Sequence, residues 1–163
     1  MKETSTPLKI KVEQLLTEAR VIIPGGQALF GFQFIAMLTT GFDKLPPISQ
    51  LMHTTALCFT ALNVIVLMAP AALHRLSFGG EDSEAFLQVG SALLISAPML
   101  LALAVAAELY VVFDKVLVNS FLASIAGLGG WLVMTTFWYV IPLGLNHIAP
   151  PTRSATTGES PAL

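Results

Sequence analysis

Charged side chains are the feature that this sequence has least of. Of its 163 residues, 11% are Asp, Glu, Lys or Arg, whereas a soluble globular domain carries about 25%. Four stretches contain none of them: 21–42, 45–74, 85–107 and 116–152, which hold 22, 30, 23 and 37 residues. A helix needs roughly 20 apolar residues to cross a hydrocarbon core of about 30 Å, so each stretch can hold one membrane span. The scarcity of charge therefore excludes a soluble globular domain.

Cysteine and clustered basic residues are also scarce, and each absence excludes a class of protein. The single cysteine, Cys58, provides neither a disulfide framework nor a pair of thiols for a redox site. A formal net charge of −2 leaves no basic surface for a nucleic acid. His53 and His147 have no carboxylate or cysteine at ligand spacing. With no catalytic triad order and no phosphate-binding glycine loop either, we expect no enzyme activity, cofactor, metal site or nucleic-acid partner.

What the sequence does contain predicts an all-α fold, a four-helix transmembrane bundle preceded by an N-terminal amphipathic interfacial helix. The mean hydropathy of +0.76 agrees with this class. We assign 1–23 to a tail and the amphipathic helix, 24–143 to the transmembrane domain and 144–163 to a disordered cytoplasmic tail rich in Pro, Ser, Thr and Gly. The spans are expected at about 24–42, 51–73, 86–112 and 117–142.

The N-terminal segment differs from the spans because apolar and polar residues alternate there at helical spacing. Thr6 followed by Pro7 is typical of a helix start. The apolar residues that follow share one side, which predicts an amphipathic helix on an anionic membrane face or docked onto the bundle. Pro24-Gly25-Gly26 interrupts the pattern. Since proline lacks an N–H donor and glycine weakens a helix, we expect the chain to turn there into the bilayer.

The distribution of Lys and Arg predicts the orientation of the bundle. The N-terminal segment, the second loop and the C-terminal tail carry six of these residues, and the other two are Lys44 and Lys115, in the first and third turns. Basic residues are enriched on the cytoplasmic side of membrane proteins. Both termini are therefore expected to be cytoplasmic.

Polar residues within the spans are the candidates for a functional site. Glu108 is the only acidic residue inside a span, roughly 9 Å from the turn at Asp114, and Asn119 lies about 6 Å inside the same turn. These two can form a hydrogen-bonded pair between helices, or Glu108 can be a proton or cation site. Gln33 and Asn63 are expected to form a similar pair near the midplane. If all four converge on one axis, they line a polar path for a small solute or cation.

The predicted fourth span carries small residues that permit close approach of another helix. They form two overlapping pairs with a spacing of four, Ala123 with Gly127 and Ala126 with Gly130. The pattern fits tight packing within the bundle, and it fits dimerisation.

Four short motifs stand out between Lys9 and Leu143. They are Leu15-Leu16-x-Glu18-x-Arg20-Val21, Pro24-Gly25-x-Gln27-x-Leu29-Phe30-x-Phe32, Ala69-Pro70-x-x-x-His74-Arg75 and Trp138-Tyr139-x-x-Pro142-Leu143. Together they resemble an uncharacterised family of small bacterial four-helix membrane proteins, classed as a domain of unknown function. Some members carry the label sodium:proton antiporter. The resemblance implies a multi-pass protein of the bacterial inner membrane.

The resemblance also implies that a set of residues gathers at the inner interface, and we name this set the cytoplasmic rim. Its members are Glu18, Arg20, Pro24, Gln27, His74, Arg75 and Tyr139. Since the rim carries charges of both signs, it suits anionic lipid head groups or a membrane-protein partner.

Two functions follow as hypotheses. The first is a structural or interaction component of the membrane, whose cytoplasmic rim binds lipid, a partner or a second copy of the chain. The second is a proton or cation transport element that uses Glu108. A Glu108 buried among the spans beside water-accessible Gln33 and Asn63 favours transport, whereas a Glu108 that faces Lys44 or Lys115 favours a structural role.

Overall fold

The computed structural model of the protein describes residues 7–146, and within this range the chain is helical with no strand. The elements are α1 (Leu8–Met37), α2 (Thr40–Asp43), α3 (Pro47–Leu76), α4 (Glu84–Leu117), α5 (Ser120–Thr135), a π-helical turn (Thr136–Val140) and α6 (Ile141–Asn146). The predicted all-α fold is confirmed. The predicted tail at 144–163 lies outside the described residues, except for 144–146, which are helical.

Three helical stretches are long and apolar enough to cross a membrane: Pro47–Leu76, Glu84–Leu117 and Ser120–Leu145. They correspond to the second, third and fourth predicted spans and indicate a membrane protein. The stretch predicted as the first span, 24–42, is not among them, because its helix contains two glutamines, a proline and three glycines after Arg20. The count of four spans is therefore approximate.

The N-terminal segment and the predicted first span form one continuous helix, so the turn expected at Pro24 is wrong. A proline inside a helix removes one hydrogen bond, and packing on both sides of Pro24 offsets that loss. Val12 and Leu15 pack against Phe86 before the proline, and Gln33 is buried after it. The boundary placed between residues 23 and 24 is consequently not a break in the helix.

The four long helices run alternately up and down. Gln33 lies beside Glu108 and Leu15 beside Gly90, so α1 and α4 run parallel, and both pack against the antiparallel α3. Helix α5 packs on the other side of α4. We call the end where α1 ends and α3 begins the distal end, and the opposite end, where α1 begins and α3 ends, the proximal end.

Helices α4 and α5 approach each other closely at two glycines of α5. A Cβ atom added at Gly127 would lie 2.8 Å from the backbone carbonyl oxygen of Ala106, and one added at Gly130 would meet Leu109 Cδ1. These glycines belong to the predicted small-residue pairs. The sequence left open whether these small residues serve packing within the bundle or dimerisation. In the structure the two glycines pack against α4 within the bundle.

Pro142 explains why the helix widens after α5. Proline cannot donate to the carbonyl four residues earlier, which belongs to Trp138, and its ring crowds that oxygen. The chain forms a π-helical turn over Thr136–Val140, directly before this proline, and the Ile141 N–H donates to the carbonyl of Thr136.

Candidate functional site

Three helices bring Gln33, His53 and Glu108 together in the distal half of the bundle, and we call these residues the proton cluster. Gln33 Nε2 donates to Glu108 Oε1 at 2.9 Å. His53 Nδ1 lies 2.9 Å from Glu108 Oε1 and 3.1 Å from Oε2. His53 Nε2 lies 3.0 Å from the backbone carbonyl oxygen of Gln33. One carboxylate thus links α1, α3 and α4.

The partners of the His53 ring fix where its protons lie. A backbone carbonyl oxygen only accepts hydrogen bonds, so His53 Nε2 carries a hydrogen. A neutral imidazole then leaves Nδ1 as an acceptor facing Glu108. Two acceptors at this distance need a proton between them, held by an imidazolium or by a carboxylic acid. The geometry of the pair therefore requires one shared proton.

The cluster is largely enclosed by protein. Side-chain exposure is 7% for His53 and 22% for Glu108, and Gln33 is buried. The Phe42 ring of α2 lies against the His53 ring, with 5.6 Å between centroids. Gln33 Oε1 is buried and has no hydrogen-bond partner among residues 7–146. The site thus contains one acceptor that is free to receive a further hydrogen bond.

A second buried carboxylate lies closer to the distal end. Asp114 accepts hydrogen bonds from Ser49 Oγ at 2.6 Å and from Ser120 Oγ at 2.9 Å. These bonds join α3, α4 and α5, and Asp114 is 6% exposed. The two hydroxyl donors satisfy this carboxylate locally.

Few other ionisable groups come from the helices packed around the proton cluster. Helix α1 has none after Arg20, and α5 has none at all. On α3 the only others are Cys58, which is exposed, and the terminal His74 and Arg75. On the C-terminal half of α4 they are Tyr110, Asp114 and Lys115, and α2 contributes Asp43. The charge balance of the cluster thus depends mainly on His53 and Glu108 themselves.

The pairings differ from those expected from sequence. Glu108 bonds to Gln33 and His53, whereas Asn119 caps α5 and accepts from Phe121 N and Leu122 N at 3.0 and 3.1 Å. Asn63 donates through Nδ2 to the Ala97 carbonyl at 2.6 Å rather than meeting Gln33. Depth counting ranks residues along a helix, but it does not give the direction in which each side chain points. The condition for a polar path, convergence of all four residues on one axis, is therefore not met among these contacts.

Sequence reasoning did not include His53, Ser49 or Asp114 among the site residues. A usable signal was present for His53, which lies six residues after Pro47, just as Glu108 lies six residues before Asp114. At 1.5 Å per residue both are about 9 Å from their turns, and neighbouring antiparallel spans bring equal depths together. That comparison would have paired a histidine with a carboxylate.

The residues of the cytoplasmic rim do not form one continuous surface in the structure. Arg20, His74 and Arg75 line one groove of about 290 Å³ between α1 and α3. Tyr139 instead donates from its hydroxyl to the Ile95 carbonyl on α4 at 2.6 Å. The remaining members, Glu18, Pro24 and Gln27, are exposed along α1. Only the two arginines and His74 form a common surface.

Within residues 7–146 no group of three or more His, Cys, Asp or Glu side chains is placed to hold a metal ion. The groups that are in contact at the site, an imidazole, a carboxylate and an amide, can form hydrogen bonds and exchange a proton.

The fold and site define a class, a helical membrane protein with a hydrogen-bonded histidine–carboxylate pair enclosed between its helices. The chain belongs to the family described as "Family of unknown function (DUF6328)", whose profile matches residues 4–142. The resemblance to a family of unknown function is thereby confirmed. No curated protein and no solved structure matches the chain.

Proposed function

We propose that the protein is an integral membrane protein that binds and releases a proton at the proton cluster. The observation that carries this proposal is the position of the His53 ring, with Nε2 3.0 Å from the Gln33 carbonyl oxygen and Nδ1 3.1 Å from Glu108 Oε2. An ionisable group inside a membrane-spanning helix is costly, and such groups mark functional sites. This cluster has two of them, on different helices and in direct contact.

Loss of the proton would change the structure of the cluster. The Nδ1 lone pair would face a carboxylate, and the two groups would repel each other. Because the three residues belong to α1, α3 and α4, proton exchange is coupled to the contacts that hold these helices together.

Access to the cluster is expected from the distal end. Glu108 retains 22% side-chain exposure, whereas the large side chains buried towards the proximal end, Val12, Leu15, Leu67 and Phe86, are apolar. With both termini cytoplasmic, the distal end faces the other side of the membrane. The proposed site therefore exchanges protons with the extracytoplasmic side.

Selective ¹⁵N labelling of histidine tests the proposal directly, because the chain has three histidines and each nitrogen shift reports whether that nitrogen carries hydrogen. We expect Nε2 of His53 to carry hydrogen throughout, and the Nδ1 shift to respond to loss of the proton that this nitrogen shares with Glu108. The variant His53→Asn assigns the signals. The variant Glu108→Gln should remove the Nδ1 response, whereas Glu84→Gln, at the exposed start of α4, should not. A Nδ1 signal that ignores both pH and Glu108→Gln contradicts the proposal.

Whether the protein transports protons is a separate question. Proton flux into proteoliposomes under a pH gradient, measured with and without sodium, answers it. Because the proximal core is apolar, we expect no flux above that of empty liposomes. If the flux depends on sodium and the Glu108→Gln variant abolishes it, the function is antiport rather than proton binding alone.

A second candidate function is binding of anionic lipid phosphate by the groove of Arg20, His74 and Arg75. The observation in its favour is that two guanidinium groups and an imidazole line one groove at the proximal end, where arginine can hold phosphate through paired N–H donors. We expect Arg20→Gln and Arg75→Gln to retain less anionic phospholipid in native mass spectrometry from mixed-lipid nanodiscs. The control is Lys44→Gln at the distal end, and equal retention by all four proteins contradicts this candidate.

A further inference from the structure

The short segment that joins α1 to α3 at the distal end places one aromatic ring against the proton cluster. This segment, residues 38–45, contains the four-residue helix α2 (Thr40–Asp43). From Leu38 to Lys44 every residue is exposed except Phe42, which is half-buried. Phe42 is therefore the residue through which this otherwise exposed stretch contacts the bundle.

The His53 ring has three neighbours that separate it from water. The Phe42 ring lies against it, with 5.6 Å between centroids and 56° between the ring planes. Nδ1 faces Glu108 and Nε2 faces the Gln33 carbonyl oxygen. The side chain keeps 7% of its exposure. Contact of His53 with water therefore requires that one of these three neighbours moves.

Phe42 is the neighbour that can move at the lowest cost. The Gln33 carbonyl belongs to the backbone of α1, and Glu108 is held by hydrogen bonds from two helices. Phe42 has only an apolar contact with the cluster and lies in a short exposed segment. Segments with few buried contacts open locally at a lower free energy than the core of a protein. Opening of the segment around Phe42 is thus the first expected route of water to His53.

A glutamine on α3 holds this segment closed. Gln50 Nε2 donates to the backbone carbonyl oxygens of Phe42 at 3.3 Å and of Leu45 at 3.1 Å. Both bonds join the segment to the first turns of α3, one turn before His53. The position of the Phe42 ring therefore depends on a side-chain contact that can be removed without changing the ring.

The other cover at the distal end is more firmly built. Asp114 accepts hydrogen bonds from Ser49 and Ser120, which join three long helices, and it is 6% exposed. Opening this side would separate α3, α4 and α5 from one another. The segment around Phe42 can open while the long helices stay in place.

We propose that Phe42 is the gate of the proton cluster, a positioning residue whose ring excludes water from His53 until the segment 38–45 opens towards the extracytoplasmic side. The proposal rests on the proton binding proposed above and adds the residue that controls its rate. In the closed state the ring covers His53. In the open state water reaches the ring nitrogens, and the cluster exchanges protons.

Exchange of the His53 Nε2 hydrogen with water, followed by NMR in ¹⁵N-histidine-labelled protein in nanodiscs, measures the opening. We expect Phe42→Ala to accelerate this exchange about tenfold, and Phe42→Leu, which keeps most of the apolar volume, to accelerate it much less. Gln50→Leu leaves the ring in place but removes both bonds to the segment, so it should also accelerate exchange. The matched control is Phe121→Ala at the distal start of α5, where the ring is 72% exposed, and its rate should equal that of the native chain.

A second exchange signal separates local opening from general loosening of the bundle. Trp131 Nε1 on α5 is buried, and Trp131→Phe assigns its indole signal. We expect its exchange rate to be the same in the native chain, Phe42→Ala and Gln50→Leu. Acceleration at His53 alone is the result that supports the gate.

Three results would overturn the proposal. One is an unchanged His53 exchange rate in both Phe42→Ala and Gln50→Leu, which would show that protons enter elsewhere, as at the exposed part of Glu108. Another is equal acceleration by Phe42→Leu and Phe42→Ala, since aromatic contact rather than coverage would then matter. The third is equal acceleration at His53 and Trp131.

The gate and the proton site fail by different signals. The proton site is read from the Nδ1 shift of His53 and its response to Glu108→Gln, and absence of that response contradicts proton binding. The gate is read from the exchange rate at Nε2. An Nδ1 shift that responds as expected, together with an Nε2 rate that ignores Phe42→Ala and Gln50→Leu, rejects the gate and leaves the proton site standing.

Discussion

His53→Leu is expected to lower the free energy of unfolding by about 3 kcal/mol, the cost of leaving one member of a buried charge pair without its partner. The substitution removes the group that shares a proton with Glu108, and it also removes the donor to the Gln33 carbonyl. Glu108→Leu should be similarly destabilising, because Gln33 Nε2 and His53 then both lose their partner. Equilibrium unfolding in mixed micelles measures both effects.

The double variant His53→Leu/Glu108→Leu decides whether these losses come from the pair. Replacing a whole buried ion pair by apolar residues is often neutral or stabilising. The double variant should therefore be more stable than the sum of the single effects predicts, with a coupling energy of about 2 kcal/mol. The variant Thr55→Leu, at a position on α3 whose hydroxyl bonds only within its own helix, controls for added apolar volume. Additive single effects would show that His53 and Glu108 do not act as a unit.

Gly127→Ala is expected to be the second strongly destabilising change, by about 1 to 3 kcal/mol. The new methyl group would lie 2.8 Å from the Ala106 carbonyl oxygen, and a backbone atom within a helix cannot move aside alone. Helices α4 and α5 would have to separate, with loss of packing along their interface. The measurement is again unfolding in mixed micelles.

Two neighbouring glycines provide a graded comparison. Gly129→Ala meets no atom within 4 Å, so it should be neutral or stabilising by up to about 1 kcal/mol through the better helix propensity of alanine. Gly130→Ala meets Leu109 Cδ1, the end of a flexible side chain, and should lie between the other two. If Gly127→Ala and Gly129→Ala have the same effect, the close approach of α4 and α5 is not what stabilises the hairpin.

The proton cluster also bears on the two functions that the sequence left open. Glu108 faces neither Lys44 nor Lys115 in any hydrogen bond or ion pair of the described residues, which is not the arrangement expected for a purely structural role. It does not match the full transport pattern either, since Gln33 and Asn63 are buried rather than water-accessible. A proton site reached from one end fits both observations.

The sequence determined the class of the protein and its candidate polar residues. Long stretches without charge are visible in composition alone, because the bilayer acts on each helix separately. For the same reason Gln33 and Glu108 stood out as polar residues in apolar surroundings. The family was also accessible, since short motifs such as Ala69-Pro70-x-x-x-His74-Arg75 need no structure to be compared.

Only the tertiary structure decided which of these residues meet. Hydropathy gives the depth of a residue in its helix, but the direction of its side chain depends on how the helices rotate as they pack. This is why Glu108 lies against His53 rather than Asn119, and why Asn63 bonds to the Ala97 carbonyl. The continuity of α1 through Pro24 has the same origin, since contacts with α3 and α4 on both sides of the proline outweigh a local preference to turn.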